Sequence, residues 1–254
     1  GDTFGAMSVS GLSVYNGPFE PYLLTIDRVK VPTKDNFKTV FKAFRNLAAT
    51  GEIAASIYEP LVQGANAMRM YDAELMDGLL AISKTHNIGK TAKNFASEYM
   101  LHQPDIICMS KALTAGIAPM ALTSCTQKIY EAFCDDEISK GFFHGHTYSA
   151  NPLACTAASA GIDLLLSDEI QARILEISAR HLAFENRIKQ HKNVNSTRCL
   201  GVIFALDLCV EMDRYGRLRD KLYNYFMAEG VFLRPLGNTI YILPPYVISN
   251  TELE

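Results

Sequence analysis

Apolar positions along the chain switch between helical and strand spacing. Phe37, Val40, Phe41, Phe44 and Leu47 recur at helical steps and predict an amphipathic helix over 36–49. The apolar run over 53–58 then predicts a strand that ends in Glu59-Pro60. Asp72 opens a second helix with acidic residues in its first turn, Leu75, Leu79, Leu80 and Ile82 facing inward, and its end near His86. A short run over 106–109 stops abruptly at Ser110-Lys111, which suits a strand covered on both faces. A strand over 121–123 and a helix over 126–133 follow. Asn151-Pro152 places a cap before a first-turn proline and starts a helix to 166, and Ser167-Asp168-Glu169 starts another to about 189.

From residue 198 the pattern changes to a strand over 199–208, a helix over 217–228 and a run over 231–246 containing Gly237-Asn238, a hairpin turn signal. If those two residues form the turn, Leu236 faces Thr239 and Arg234 faces Tyr241, about 5 Å apart at Cβ. The expected fold class is α/β. A large domain with a mostly parallel sheet covers 1–185, including the linking helices, and a small α+β domain covers 186–254.

Two stretches fit this alternation poorly. Gly1 to Gly11 is dense in Gly and Ser and reads as tight turns, and 15–34, with Pro18, Pro21 and Pro32, reads as an extended connection. After Ile88 an apolar strand is due, yet the polar run Gly89-Lys90-Thr91-Ala92-Lys93-Asn94 follows at once. It is expected not to form a buried strand, and on the order of a dozen residues carrying a strand and its loop are expected to be missing at 88/89. Gly89-Lys90-Thr91 is not a phosphate loop, because Lys84 stands where that motif needs glycine. The chain opens at Gly1 inside a motif, as a piece of a longer protein would.

Composition narrows the class. The chain has 254 residues, 48% hydrophobic and 20% charged, with a net charge of −3, which fits a globular protein without a basic stripe for nucleic acid. No apolar run approaches the roughly 20 residues that span a bilayer, and no signal peptide is visible. The six cysteines have no Cys-x-x-Cys spacing and read as reduced packing residues of a cytoplasmic protein. Histidines at 144 and 146, without nearby acids or thiols, do not make a metal site.

Candidate chemistry sits at strand ends. Open α/β sheets bind ligands beyond the carboxyl ends of their strands, where Lys111 and Glu59 both fall. Desolvation there would lower the lysine's pKa, as a Schiff-base lysine requires. Arg234 offers a planar fork to a carboxylate, with the Tyr241 hydroxyl as its neighbour.

Ser110-Lys111-Ala112-Leu113 and Glu59-Pro60 resemble segments of the class III pyridoxal-phosphate aminotransferases, which have fold type I. Four further pieces are similar to the branch that aminates 8-amino-7-oxononanoate in biotin synthesis. They are Gly1 to Val9, Met68-Arg69-Met70-Tyr71, His144-Gly145-His146-Thr147, and Leu233 to Tyr246. The resemblance implies pyridoxal 5'-phosphate as cofactor, S-adenosylmethionine as amino donor, 8-amino-7-oxononanoate as acceptor, and a homodimer with shared active sites. It implies Lys111 as the catalytic, cofactor-bearing lysine and Thr147 as a phosphate ligand from the neighbouring subunit. Glu59 and His146 would also contact the cofactor, and Arg234, Tyr241, Asp2 and Gly145 the substrate. It further places the aspartate that pairs with the cofactor's ring nitrogen in the piece expected to be missing at 88/89, so the chain by itself is expected to be nearly inactive. The alternatives are another class III enzyme for ω-amino acids, or an inactive relative that acts as a binding protein.

Overall fold

The computed structural model describes residues 3–86, 88–92 and 95–254. The chain forms two compact units. The first takes Gly1–Leu61, Tyr71–Cys108 and Thr123–Gly141, and the second takes Val62–Met70, Met109–Leu122 and Phe142–Glu254.

The first unit begins with helix α1 (Phe4–Val9), capped by the Thr3 hydroxyl, which accepts from the Ala6 N–H. This overturns the expected run of tight turns. The Ser8 and Ser10 hydroxyls donate to carbonyls four residues back, so the small polar residues find partners inside a helical turn. The connection over 15–34 contains a short 3-10 turn, Gly17–Tyr22, started by Pro18. Helix α2 (Phe37–Ala48) buries Val40, Phe44 and Ala48, as its spacing predicts. Strand β1 (Ala55–Tyr58) precedes the two-residue strands β2 (Val62–Gln63) and β3 (Arg69–Met70), which pair as an antiparallel ribbon in the second unit. Helix α3 (Ala73–Thr85) buries Met76, Leu79, Leu80 and Ile82. It packs on α2 at Gly78, where an added Cβ would lie 2.2 Å from the Phe41 ring. Asp72 stands at the N-cap but makes no side-chain capping bond, contrary to its expected role.

The polar run at 89–92 does form a strand, β4 (Gly89–Ala92). Its backbone pairs in parallel with β1 from Ala55↔Gly89 to Tyr58↔Ala92, and Thr91 and Ala92 pair with Ile106 and Ile107 of β5 (Ile106–Ser110). Ladder bonds come from peptide groups, so a polar segment fills the slot that β1 and β5 leave between them. With β6 (Ala121–Cys125) the sheet order is β1-β4-β5-β6, followed by α4 (Gln127–Glu131). β5 is half-buried rather than covered on both faces, and β6 is exposed along its length.

In the second unit, α5 (Pro152–Leu166) starts at Asn151, whose side chain accepts from Leu153 and Ala154 N–H, as predicted. Helix α6 (Asp168–Ile188) starts at Ser167, which accepts from Ile170 N–H. The single strand expected over 199–208 is two, β7 (Val194–Leu200) and β8 (Ile203–Leu208), folded back at Gly201 with φ 56°. After α7 (Arg217–Ala228), β9 (Thr239–Ile242) completes the antiparallel sheet β7-β8-β9, and α8 (Asn250–Leu253) lies at the end. Phe204, Ala205, Leu206, Ile177 and Leu233 are among the buried side chains of this unit. All six cysteines are free, and Cys125, Cys134 and Cys209 are exposed, so these three are not packing residues. No described helix is long and apolar enough to cross a membrane.

Candidate active site

Lys111 follows the last residue of β5 and begins a 3-10 turn, Lys111–Thr114. Its φ of 59° and the 52° of Ala115 put two non-glycine residues in the left-handed region. Such positions cost on the order of 1–3 kcal/mol each and persist only where the surroundings impose them. Here the surroundings are visible. The Ser110 hydroxyl donates to the Met120 carbonyl at 3.1 Å, and the buried Thr114 hydroxyl donates to the Ala118 carbonyl at 2.5 Å. The Gly161 face of α5 lies against the Leu113 carbonyl. Lys111 itself is exposed, so the desolvation expected from sequence is not provided by this chain alone.

Gly145, His146 and Thr147 occupy an exposed stretch ahead of α5. The His146 N–H donates to the Ser149 hydroxyl at 3.0 Å, and the Tyr148 N–H donates to His146 Nδ1 at 3.1 Å. This turn holds its own shape and leaves the Thr147 side chain outward. A Cβ on Gly145 would meet nothing within 4 Å.

The Gly237-Asn238 turn forms as predicted. Leu236 and Thr239 exchange both backbone hydrogen bonds, at 2.9 and 3.1 Å, and Gly237 has φ 64°. Among the described residues the ladder ends at that bridge. The expected Arg234–Tyr241 pairing is absent: the hairpin arm pairs only at Leu236–Thr239, while Tyr241 pairs on the other edge of β9 with Ala205 of β8. Arg234 is exposed and Tyr241 half-buried.

Glu59 belongs to the first unit, where its charge acts on Tyr71. Burial first, and then the negative charge of Glu59, push the Tyr71 phenol above its ordinary range. Burial, with Asp77 and Asp105 adding, pushes Tyr58 up to about 12, and its hydroxyl has no hydrogen-bond partner. Asp2 lies outside the described residues. The second unit thus carries Lys111, Gly145, His146, Thr147, Arg234 and Tyr241, and the first carries Glu59.

Sequence reading missed a half-buried charge network in the second unit. Arg198 reaches Asp207 through two nitrogens, at 2.7 and 3.0 Å. Ser196 and Thr239 hydroxyls donate to the same carboxylate at 2.7 and 2.6 Å. Burial raises the Asp207 pKa, but these hydrogen bonds outweigh it and hold the carboxyl below its ordinary range. The signal was Gly201. Folding the run back there puts Ser196 opposite Asp207.

A strained lysine at the carboxyl end of a sheet strand, held by a glycine face, can carry a carbonyl cofactor. The profile described as aminotransferase class-III matches residues 1–254, and the chain belongs to that family. Its relatives are specific. The adenosylmethionine-8-amino-7-oxononanoate aminotransferase of Synechococcus elongatus is 38% identical over 276 positions, covering 100% of this chain and 64% of the relative. The crystal structure of the enzyme of that name from Methanocaldococcus jannaschii superposes with a TM-score of 0.89 at 25% identity, over 100% of this chain and 63% of that one. An amine transaminase from an uncultivated Pseudomonas species, in its PLP-bound form, gives 0.86 at 26% identity, over 100% and 64%. The fold is therefore that of the fold type I transaminases, and the chain spans slightly under two thirds of the length of these relatives.

Proposed function

We propose that the protein to which this chain belongs is a pyridoxal-phosphate aminotransferase that moves the amino group of S-adenosylmethionine to 8-amino-7-oxononanoate, giving 7,8-diaminononanoate. The observation that carries this is Lys111, placed on a strained and buttressed turn at the end of β5. Bound to that amine, pyridoxal phosphate supplies an electron sink for the carbon that loses its proton. Lys111 would hold the cofactor through its Nζ, and the same amine would serve as the base that takes and returns the substrate carbon's proton. Arg234 takes the acceptor's carboxylate on its guanidinium, and Tyr241 of β9 offers a hydroxyl to the same substrate. As the family resemblance implies, Thr147 would offer a hydroxyl to the phosphate bound by the neighbouring subunit, His146 and Glu59 would serve the cofactor, and Gly145 and Asp2 the substrate.

One part of the fit is poor. The slot between β1 and β5 holds Gly89-Lys90-Thr91-Ala92, which contains no carboxylate for the ring nitrogen. The alignment with the Synechococcus relative is also longer than the chain, 276 positions against 254. The chain by itself is therefore expected to be nearly inactive. This observation also favours a second reading, a relative that binds the cofactor without turning over.

Phe142, Phe143, Tyr148, Leu153, Leu164 and Leu166 are exposed. Exposed apolar side chains of this kind are what a second copy of the chain would cover, and we take the enzyme to be a homodimer, working in the cytoplasm as the family resemblance implies. The visible spectrum of the full-length protein with pyridoxal phosphate tests the function. A visible band that S-adenosylmethionine bleaches, and that Lys111→Ala lacks, is the expected result. A band that the donor leaves untouched would favour the second reading, and no band would sink both.

A further inference from the structure

The Arg198–Asp207 pair does more than close a sheet. Arg198 also donates from Nε to the Met68 carbonyl at 2.9 Å and from a terminal nitrogen to the Ala67 carbonyl. Those two residues form the tip of the β2–β3 ribbon and have φ of 53° and 56°, so the guanidinium binds the strained backbone of the turn itself. Arg214 adds a bond to the Ala65 carbonyl at 3.1 Å. On its other side Asp207 accepts from Thr239, which lies between Arg234 and Tyr241 and is 1% exposed. A carboxylate has about four lone-pair sites, and all four are taken by Arg198, Ser196 and Thr239. One charged pair therefore ties two segments distant in sequence. The first is the ribbon that continues Glu59-Pro60-Leu61, and the second is the hairpin that follows Arg234.

We propose that Arg198, oriented by Asp207, is a positioning residue that fixes the 65–68 turn in register with the 233–241 hairpin. That these segments serve the substrate rests on the function proposed above, but the clamp does not. Arg198 touches no reacting atom in this scheme. Its fork supplies two donors to the carboxylate and two to the turn at once, which a lysine cannot do.

Hydrogen exchange of the full-length protein is the first test. Arg198→Met is expected to speed exchange of the Asn66, Met68 and Arg69 amides, which bond within the turn. The increase is expected to be roughly tenfold or more, as follows from losing charge-assisted bonds. Thr239→Val should speed exchange at Leu236 and leave the turn amides slow. Arg198→Lys should fall between wild type and Arg198→Met, and it keeps the test open if the methionine variant does not fold. Kinetics give the second readout, with KM for 8-amino-7-oxononanoate raised roughly tenfold and the half-reaction with S-adenosylmethionine within about twofold of wild type. Unchanged exchange at the turn in Arg198→Met overturns the proposal. Faster exchange in a protein that shows no transamination upholds the clamp and removes the function assigned to its two segments.

Discussion

Gly161 of α5 presses its Cα against the carbonyl of Leu113, so that an added Cβ would sit 3.2 Å from that oxygen and 3.4 Å from the Ala115 nitrogen. This contact places the helix directly beneath the turn that begins with Lys111. Gly161→Val is expected to destabilise the protein by about 1–3 kcal/mol, the usual range for overpacking, and to lower cofactor occupancy at the same time. Thermal melting together with the cofactor band measures both. A lower melting temperature with full occupancy would mean that the helix does not set the lysine turn.

Arg234 is exposed, and no described ladder bond fixes its backbone to Tyr241. Its fork is therefore available to a carboxylate. Arg234→Lys keeps the charge and loses the two-point contact, and is expected to raise KM for 8-amino-7-oxononanoate on the order of tenfold with a smaller change in kcat. Steady-state kinetics at varied acceptor concentration decide it. A fall in kcat with an unchanged KM would place the arginine elsewhere in the reaction.

His181 is 3% exposed, lies 6.0 Å from the Phe204 ring between centroids, and has neither ring nitrogen in a hydrogen bond of normal geometry. Burial lowers its pKa, and the backbone at Val202 opposes this only in part. The folded state therefore takes up its proton later than the unfolded state as the pH falls. Stability is constant above the unfolded pKa of about 6.5 and declines below it, by at most about 1.4 kcal/mol for each pH unit. His181→Met should melt with a flatter dependence between pH 7 and pH 5. Parallel curves for the two proteins would show that the histidine carries no linkage.

Asn151 caps α5 through two bonds, at 3.0 and 3.2 Å. Asn151→Ala is expected to cost about 1 kcal/mol, and Asn151→Ser much less. Denaturant melts of the three proteins check the order. Equal losses in both variants would point away from the cap.

Much of this was written in the sequence because local physics dictates it. The spacing in α2, the Asn151-Pro152 start and the Gly237-Asn238 turn each depend on neighbouring residues alone. The position of Lys111 at a strand end was equally legible, and the family motifs around it matched the comparison with known proteins. Three features were not local. β4 forms because two strands far apart in sequence leave a slot between them, which no property of Gly89-Lys90-Thr91-Ala92 announces. Arg198 is meaningful only through carbonyls 130 and 131 residues away. The Arg234–Tyr241 pairing was not formed, since the hairpin ladder stops at the Leu236–Thr239 bridge and the rest of β9 is held on its other edge by β8.

β4 also governs how the chain behaves when it opens. It covers every residue of β1, Ala55 to Tyr58, on one side and the start of β5 on the other. An outermost strand that frays leaves one row of bare amides and carbonyls, but an inner strand leaves two. Unpaired rows recruit strands from other molecules. Detachment of this short polar segment would therefore turn one molecule into a template with two adhesive borders, and the cost of a shortened centre would be paid in aggregation before it is paid in catalysis.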